Sequence, residues 1–174
     1  KVYTSGAAVA SIHHSMRSRV WAVPNMEHLV AEVRGYDNTV LMSDIEGRSG
    51  EGNITGLNGL LLGVARMRGI EAVCVMGEIP IYLQGFPILY PKASKSVLEV
   101  LAAALGVSVD MKDITEFAQR SEQEIDRLYN ELPPEAKEQL DKLKYISPAR
   151  PANARTITEE DKKKILDDVD KFFK

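Results

Sequence analysis

Apolar and polar positions along the chain change their period several times, and each change marks an element. Short apolar runs at Val2 to Thr4 and Val20 to Val23 have strand character, the second closed by Pro24. Asn25 is placed to cap a helix running from Met26 to about Arg34, where Gly35 ends it. Thr39 to Ser43 predicts a further strand, followed by a turn-rich run from Glu46 to Asn53. Leu57, Leu60, Leu61, Val64 and Ala65 then recur at helical spacing until Gly69 stops the pattern. Ala72 to Met76 is apolar without interruption, the signature of a strand buried on both faces. Alternation of strand and helix predicts a mainly parallel sheet with helices on its faces.

Ile79 to Tyr90 is a Pro- and aromatic-rich loop, longer than most connections in a compact domain, and loops of that length usually carry function. Pro91 fits the first turn of a helix containing Ala93, Val97, Val100, Leu101, Ala104 and Leu105, which Gly106 terminates. Asp110 caps a long helix with Ile114, Phe117, Ser121, Ile125, Leu128 and Leu132 in a stripe. Pro133 and Pro134 break it, and Ala136, Leu140 and Leu143 mark a second helix. The two helices suit an antiparallel hairpin that packs on itself or on another subunit. Ser147 to Ala154 reads as a polar linker. Thr158 with Asp161 then opens a last amphipathic helix carrying Ile165, Leu166, Val169, Phe172 and Phe173.

Charge divides the chain in the same place. Residues 1–109 hold 9 acidic and 9 basic side chains, and the remainder holds 16 and 13. The pattern predicts an α/β core over 1–109, a helical hairpin extension over 110–145, and a linker with a C-terminal helix over 146–174. The net charge of −3 has the wrong sign for neutralising nucleic-acid phosphates or an acidic membrane surface. Cys74, the single cysteine, has no partner for an internal disulfide, which favours the cytoplasm. The longest apolar stretch, Leu57 to Val64, is too short to cross a bilayer.

Candidate chemistry is sparse. In a parallel sheet the ligand crevice lies beyond the carboxyl ends of the strands. Asp44, Glu46 and Glu78 follow two candidate strands there, with Gly56 and Asn58 at the head of the next helix. Such carboxylates hold Mg²⁺ or act as acid and base in an ATP-dependent ligase or a hydrolase. The plainer reading has Asp44 and Glu46 capping turns and Glu78 binding loop backbone or an arginine. Gly50 and Gly52 do not complete a phosphate-binding fingerprint, and Glu51 and Asp44 would repel phosphate. Gly56, Gly59 and Gly63, at i, i+3 and i+7, read instead as a face for close helix packing. His13, His14 and His28 lack a metal-ligand set, and adjacent histidines in an extended chain point opposite ways, so they read as loop or surface residues. No metal or cofactor is implied.

The run Ile54-Thr55-Gly56-Leu57-Asn58-Gly59-Leu60-Leu61-Leu62-Gly63 resembles the PAC2 family, the proteasome assembly chaperone 2 homologues of archaea and actinobacteria. Arg68-Gly69-Ile70, Val73 to Glu78, Pro91 to Lys95 and Val97 to Leu101 continue the resemblance, which covers residues 20 to 110. It implies a three-layer α/β/α fold, similar to phosphorylases and hydrolases, here with a C-terminal helical extension. It also implies a protein-binding, chaperone-like role without established catalytic residues. The alternative function is an ATP-dependent carboxylate–amine ligase or phosphorylase-like hydrolase. Family members usually begin with a strand, a glycine-rich turn and a helix, so residues 1–109 resemble the later portion of the domain. An uncovered sheet edge is then expected, paired by a companion chain or by a homo-oligomer using residues 110–145. Phe172-Phe173-Lys174 is similar to the hydrophobic-tyrosine-any-residue tail that inserts between proteasome α subunits, with Phe173 in the tyrosine position.

Overall fold

Residues apolar on both faces can only form a central strand, and Ala72–Pro80 is that strand. In the computed structural model, which describes residues 1–44, 54, 56–84 and 86–145, it is the fourth of four. The elements are β1 (Val2–Ala10), β2 (Val20–Pro24), α1 (Leu29–Arg34), β3 (Thr39–Leu41), α2 (Gly56–Met67), β4 (Ala72–Pro80), α3 (Pro91–Leu105), α4 (Lys112–Glu131) and α5 (Pro134–Lys142). Sheet order is β1-β4-β2-β3. β1 runs parallel to β4, and β2 to β3, but β2 runs antiparallel to β4. Two of the three strand pairs are thus parallel, as expected, and the single antiparallel pair makes the sheet mixed. The link from Ala10 to Val20 contains no helix, and a parallel return would need a crossover of about a dozen residues or more. The chain instead re-enters the sheet at the end where β1 leaves it.

Helices cover both faces. On one, Leu62 and Ala65 of α2 pack on Ala8, Ala10, Trp21, Cys74 and Met76. On the other, Leu29 and Val33 of α1 and Val97 and Val100 of α3 pack on Val20, Ala22, Val73 and Val75. This is a three-layer α/β/α arrangement. The Cys74 thiol is buried, and burial raises its pKa, so it stays protonated as a small apolar group. Among the described residues no helix is long and apolar enough to cross a membrane.

Asn25 does not cap α1. Its side-chain amide donates to the Ile70 carbonyl at 2.9 Å and its carbonyl accepts the Ala72 N–H at 2.8 Å, clamping the entry of β4. α1 accordingly begins later, at Leu29. Asp110 accepts the backbone N–H of Lys112 at 2.9 Å and satisfies a donor at the start of α4. The hairpin does not pack only on itself. α4 lies along α3, burying Ala118, Ser121 and Ile125, and the Ser121 hydroxyl donates to the Leu89 carbonyl.

Close packing at glycine falls in different places from those the i, i+3, i+7 pattern suggests. Gly63 faces open space, and Gly56 is required for its left-handed φ of +73°. Gly59 does pack closely, since a Cβ there would collide with the Ile54 carbonyl. The tightest contact with a neighbouring helix is at Gly77 of β4, where a Cβ would lie 2.7 Å from the Ala93 carbonyl oxygen of α3. Gly77→Ala should therefore lower stability by about 2 kcal/mol, read as a reduced urea midpoint at unchanged slope. Gly63→Ala should raise it by about 0.5 to 1 kcal/mol through helix propensity.

Candidate functional site

The carboxyl ends of β1 and β4 meet the amino end of β2, since Ala10 is level with Pro80 and Val20 with Gly77. Polar side chains gather at this end of the sheet. Glu78 is fully buried. One carboxylate oxygen accepts the Arg19 backbone N–H at 3.1 Å and Arg19 Nε at 3.0 Å. The other accepts Arg19 Nη2 at 2.5 Å and Trp21 Nε1 at 2.6 Å. Ser18 donates to the Glu78 carbonyl at 2.6 Å, and the Asn38 amide donates to the Ser18 carbonyl at 2.8 Å. Glu78 is thus a clamp between β4 and the start of β2, with both oxygens committed to protein donors.

The other crevice candidates are not collected around it. β3 runs antiparallel to β4, so Asp44 leaves the sheet toward the opposite end and pairs with Arg34 at 3.0 Å. Asn58 donates to the Ser5 carbonyl at 3.2 Å, above β1, and Gly56 begins α2. Glu46 lies outside the described residues, as do Gly50 to Gly52, the linker, the Thr158–Asp161 capping pattern and Phe172, Phe173 and Lys174. Among the described residues no group of three or more His, Cys, Asp or Glu side chains is arranged to hold a metal ion.

His28 lies at the surface, 2.8 Å from the Glu71 carboxylate, and His13 and His14 lie in the loop after β1, but these two are buried side by side instead of pointing opposite ways. His13 and His14 are 2% and 1% exposed, and their ring centroids stand 4.1 Å apart because the chain turns sharply after β1. The His14 backbone N–H donates to the Tyr82 hydroxyl at 2.6 Å. His14 Nδ1 and the same hydroxyl are 2.7 Å apart, and Nε2 lies 2.8 Å from the Asp126 carboxylate of α4. All three contacts are satisfied when Tyr82 donates to Nδ1 and Nε2–H donates to Asp126. Burial pushes the Tyr82 pKa up to about 12, which keeps that hydroxyl proton in place. Lys92 of α3 ties the same loop down, donating to the His14 carbonyl at 2.7 Å and to Glu122 of α4 at 2.6 Å. His13 Nδ1 accepts the Ser15 N–H at 3.2 Å, while its buried Nε2 has no hydrogen-bond partner among the described residues.

Next to this cluster lies an apolar groove of about 320 Å³ between the 81–88 segment and the hairpin. Tyr82, Phe86, Ile125, Leu128, Tyr129 and Leu140 line it. Phe86 and Leu128 are exposed at its mouth. The groove offers apolar contact and little acid–base chemistry.

Removing the charge from Glu78 strands Arg19 beside an apolar core. Glu78→Gln should cost about 3 kcal/mol, seen as a lower melting temperature, whereas Trp21→His, which keeps a donor but loses ring area, separates packing from charge. His13 gives a pH dependence. Burial, followed by the adjacent His14, lowers its pKa to about 4 from 6.5, and Lys144 adds to the shift while Asp141 and Asp126 oppose it. The folded state keeps His13 neutral while the unfolded chain takes up a proton below pH 6.5. Its stabilising contribution is complete above that pH and lost as pH falls toward 4, amounting to ~3 kcal/mol. Urea titrations at pH 7 and 4.5 should show a smaller acid loss in His13→Leu than in the parent.

The comparisons agree with this architecture. The PAC2 family model matches residues 1–129, extending past both ends of the 20–110 resemblance. PbaB of Pyrococcus furiosus, an archaeal proteasome activator, superposes with a TM-score of 0.58 at 28% identity, over 72% of this chain and 49% of that one. A proteasome-assembly chaperone homologue of Mycobacterium tuberculosis gives 0.61 at 25% identity, over 82% and 52%. An uncharacterised protein of Methanocaldococcus jannaschii is 35% identical over 85 residues, 49% of this chain and 31% of that protein. The chain spans about half the length of these structural relatives and a third of the sequence relative. With the family model matching residues 1–129, well over half of the chain, the chain belongs to the PAC2 family.

Proposed function

We propose that this chain is a chaperone-like, protein-binding PAC2 protein of the cytoplasm, acting as a homo-oligomer and engaging proteasome α subunits through Phe172, Phe173 and Lys174. The observation that carries the reading is the similarity to PbaB, an archaeal proteasome activator, at 28% identity. The site is consistent with it. The carboxylate best placed for catalysis, Glu78, has both oxygens occupied by Arg19 and Trp21, while the groove beside the histidines is lined by apolar and aromatic side chains. Partner binding uses apolar surface and chain termini, and a ligase or hydrolase would need a free acid or base.

In the tail, the Phe173 ring would fill an apolar slot while the carboxylate of Lys174 pairs with a basic side chain of the partner. Truncating a hot-spot aromatic costs about 2 kcal/mol or more, some thirtyfold in affinity, and an exposed lysine side chain costs far less. Phe173→Ala, or one residue appended after Lys174, should therefore abolish pull-down of archaeal-type proteasome α subunits, with Lys174→Ala near the parent. Retained binding in both of the first two variants would refute the tail.

A further inference from the structure

The loop after β1 holds two imidazoles between the core and the hairpin. Its backbone is tied to the core side. The His14 N–H donates to the Tyr82 hydroxyl, and the His14 carbonyl accepts the Tyr90 hydroxyl at 3.2 Å and Lys92 Nζ at 2.7 Å. The hairpin covers the rings, with Tyr129 of α4 at 5.5 Å, centroid to centroid, from both of them. Charged and titratable groups come to the pair from each element packed on it. α4 brings Asp126 and Tyr129, and the end of α5 brings Asp141 held by Lys144. The turn after β4 brings the Tyr82 phenol, and α3 brings Lys92, already paired with Glu122.

Within this cage His13 is poorly placed to take a second proton. Its Nδ1 accepts the Ser15 N–H, which leaves the ring proton on Nε2. There the Asp141 carboxylate stands 3.9 Å away and is already engaged by Lys144 at 2.6 Å and by the Tyr129 hydroxyl at 2.9 Å. A proton added at Nδ1 keeps only the Ser15 hydroxyl, at 2.8 Å, as acceptor, and turns the Ser15 N–H from a partner into an opponent. It also makes a cation beside the His14 ring in a site closed to water. The cover that closes the site is lightly held, since α5 buries no residue and α4 buries only Ala118, Ser121 and Ile125.

We propose that the His13–His14 pair is an acid-sensitive latch, in which proton uptake by His13 releases α4 and α5 together while the sheet with α1, α2 and α3 stays folded. The latch goes beyond the function proposed above and rests on no part of it. Detachment returns the His13 ring to water, where its pKa is about 6.5, against about 4 under the cover. The open form therefore binds a proton that the closed form refuses, and the open-to-closed ratio rises as pH falls through 6.5, levelling off near 4. Between pH 7 and 5 the rise is about twentyfold. That window lies above the range in which carboxylates ordinarily titrate.

Hydrogen–deuterium exchange resolved by residue, expressed as protection against the intrinsic rate at each pH, reads the two units separately. At pH 7 the amides of α4 and α5 should be less protected than those of β4, and from pH 7 to 5 their protection should fall about twentyfold. His13→Leu, which fills the site with an uncharged side chain, should reduce that fall to about twofold or less. Lys144→Gln, at an exposed position, removes a repelling charge and frees Asp141 for the His13 Nε2–H, so the fall should shrink to about threefold. His28→Ala, at the surface, should leave it unchanged. Hairpin amides that exchange only together with β4 overturn the latch, as does hairpin protection independent of pH. So does a twentyfold fall that persists in His13→Leu, or in Lys144→Gln where His13→Leu does not fold.

Discussion

A carboxylate withdrawn wholly from water keeps its charge only where protein donors replace the lost solvent, and Glu78 has four. Three come from Arg19 and one from Trp21, residues on either side of the start of β2. The ion pair therefore does more than neutralise a charge. It fixes which residue of β2 lies beside which residue of β4, at the point where the antiparallel register begins. Ser18 and Asn38 add neutral hydrogen bonds to the same corner, and the left-handed φ of +63° at Asn38 turns the chain into β3. Half of the sheet order follows from this corner.

How much of this is legible in the sequence depends on how local the cause is. α3 needs only a proline at its first position, an apolar stripe and a left-handed glycine, and its limits match the pattern. β1 is longer than Val2 to Thr4 because Ser5-Gly6-Ala7-Ala8 has weak strand preference of its own and is extended by pairing with β4. The mixed sheet could have been found from the missing helix between Ala10 and Val20. Asn25 deceives because a good capping residue is equally good at gripping backbone in a strand entry.

The site divides along the same line. That Glu78 binds an arginine is one of the readings open from sequence, although which arginine is settled by folding. The histidine cluster is not readable, since His14 meets Asp126 across 112 residues and the sharp turn after β1 leaves no motif. An extended His-His pair would place its rings on opposite sides, whereas here both rings lie against Tyr82 and Tyr129. Aromatic residues in the 79–90 loop and on the hairpin were the available hint that something polar lay beneath them.

The way α4 is fastened has its own consequence. It buries only Ala118, Ser121 and Ile125, and is otherwise held by polar ties from Asp126 to His14, from Glu122 to Lys92 and from Ser121 to Leu89. Such ties are replaced by water at modest net cost, whereas peeling Val73 or Val75 from the sheet exposes core. The hairpin and the sheet are thus separate cooperative units. Detaching the hairpin therefore costs less than opening the sheet, and it is the hairpin that covers the histidines and forms one wall of the groove. The ties that hold the hairpin closed thus also set how much of the apolar groove is covered.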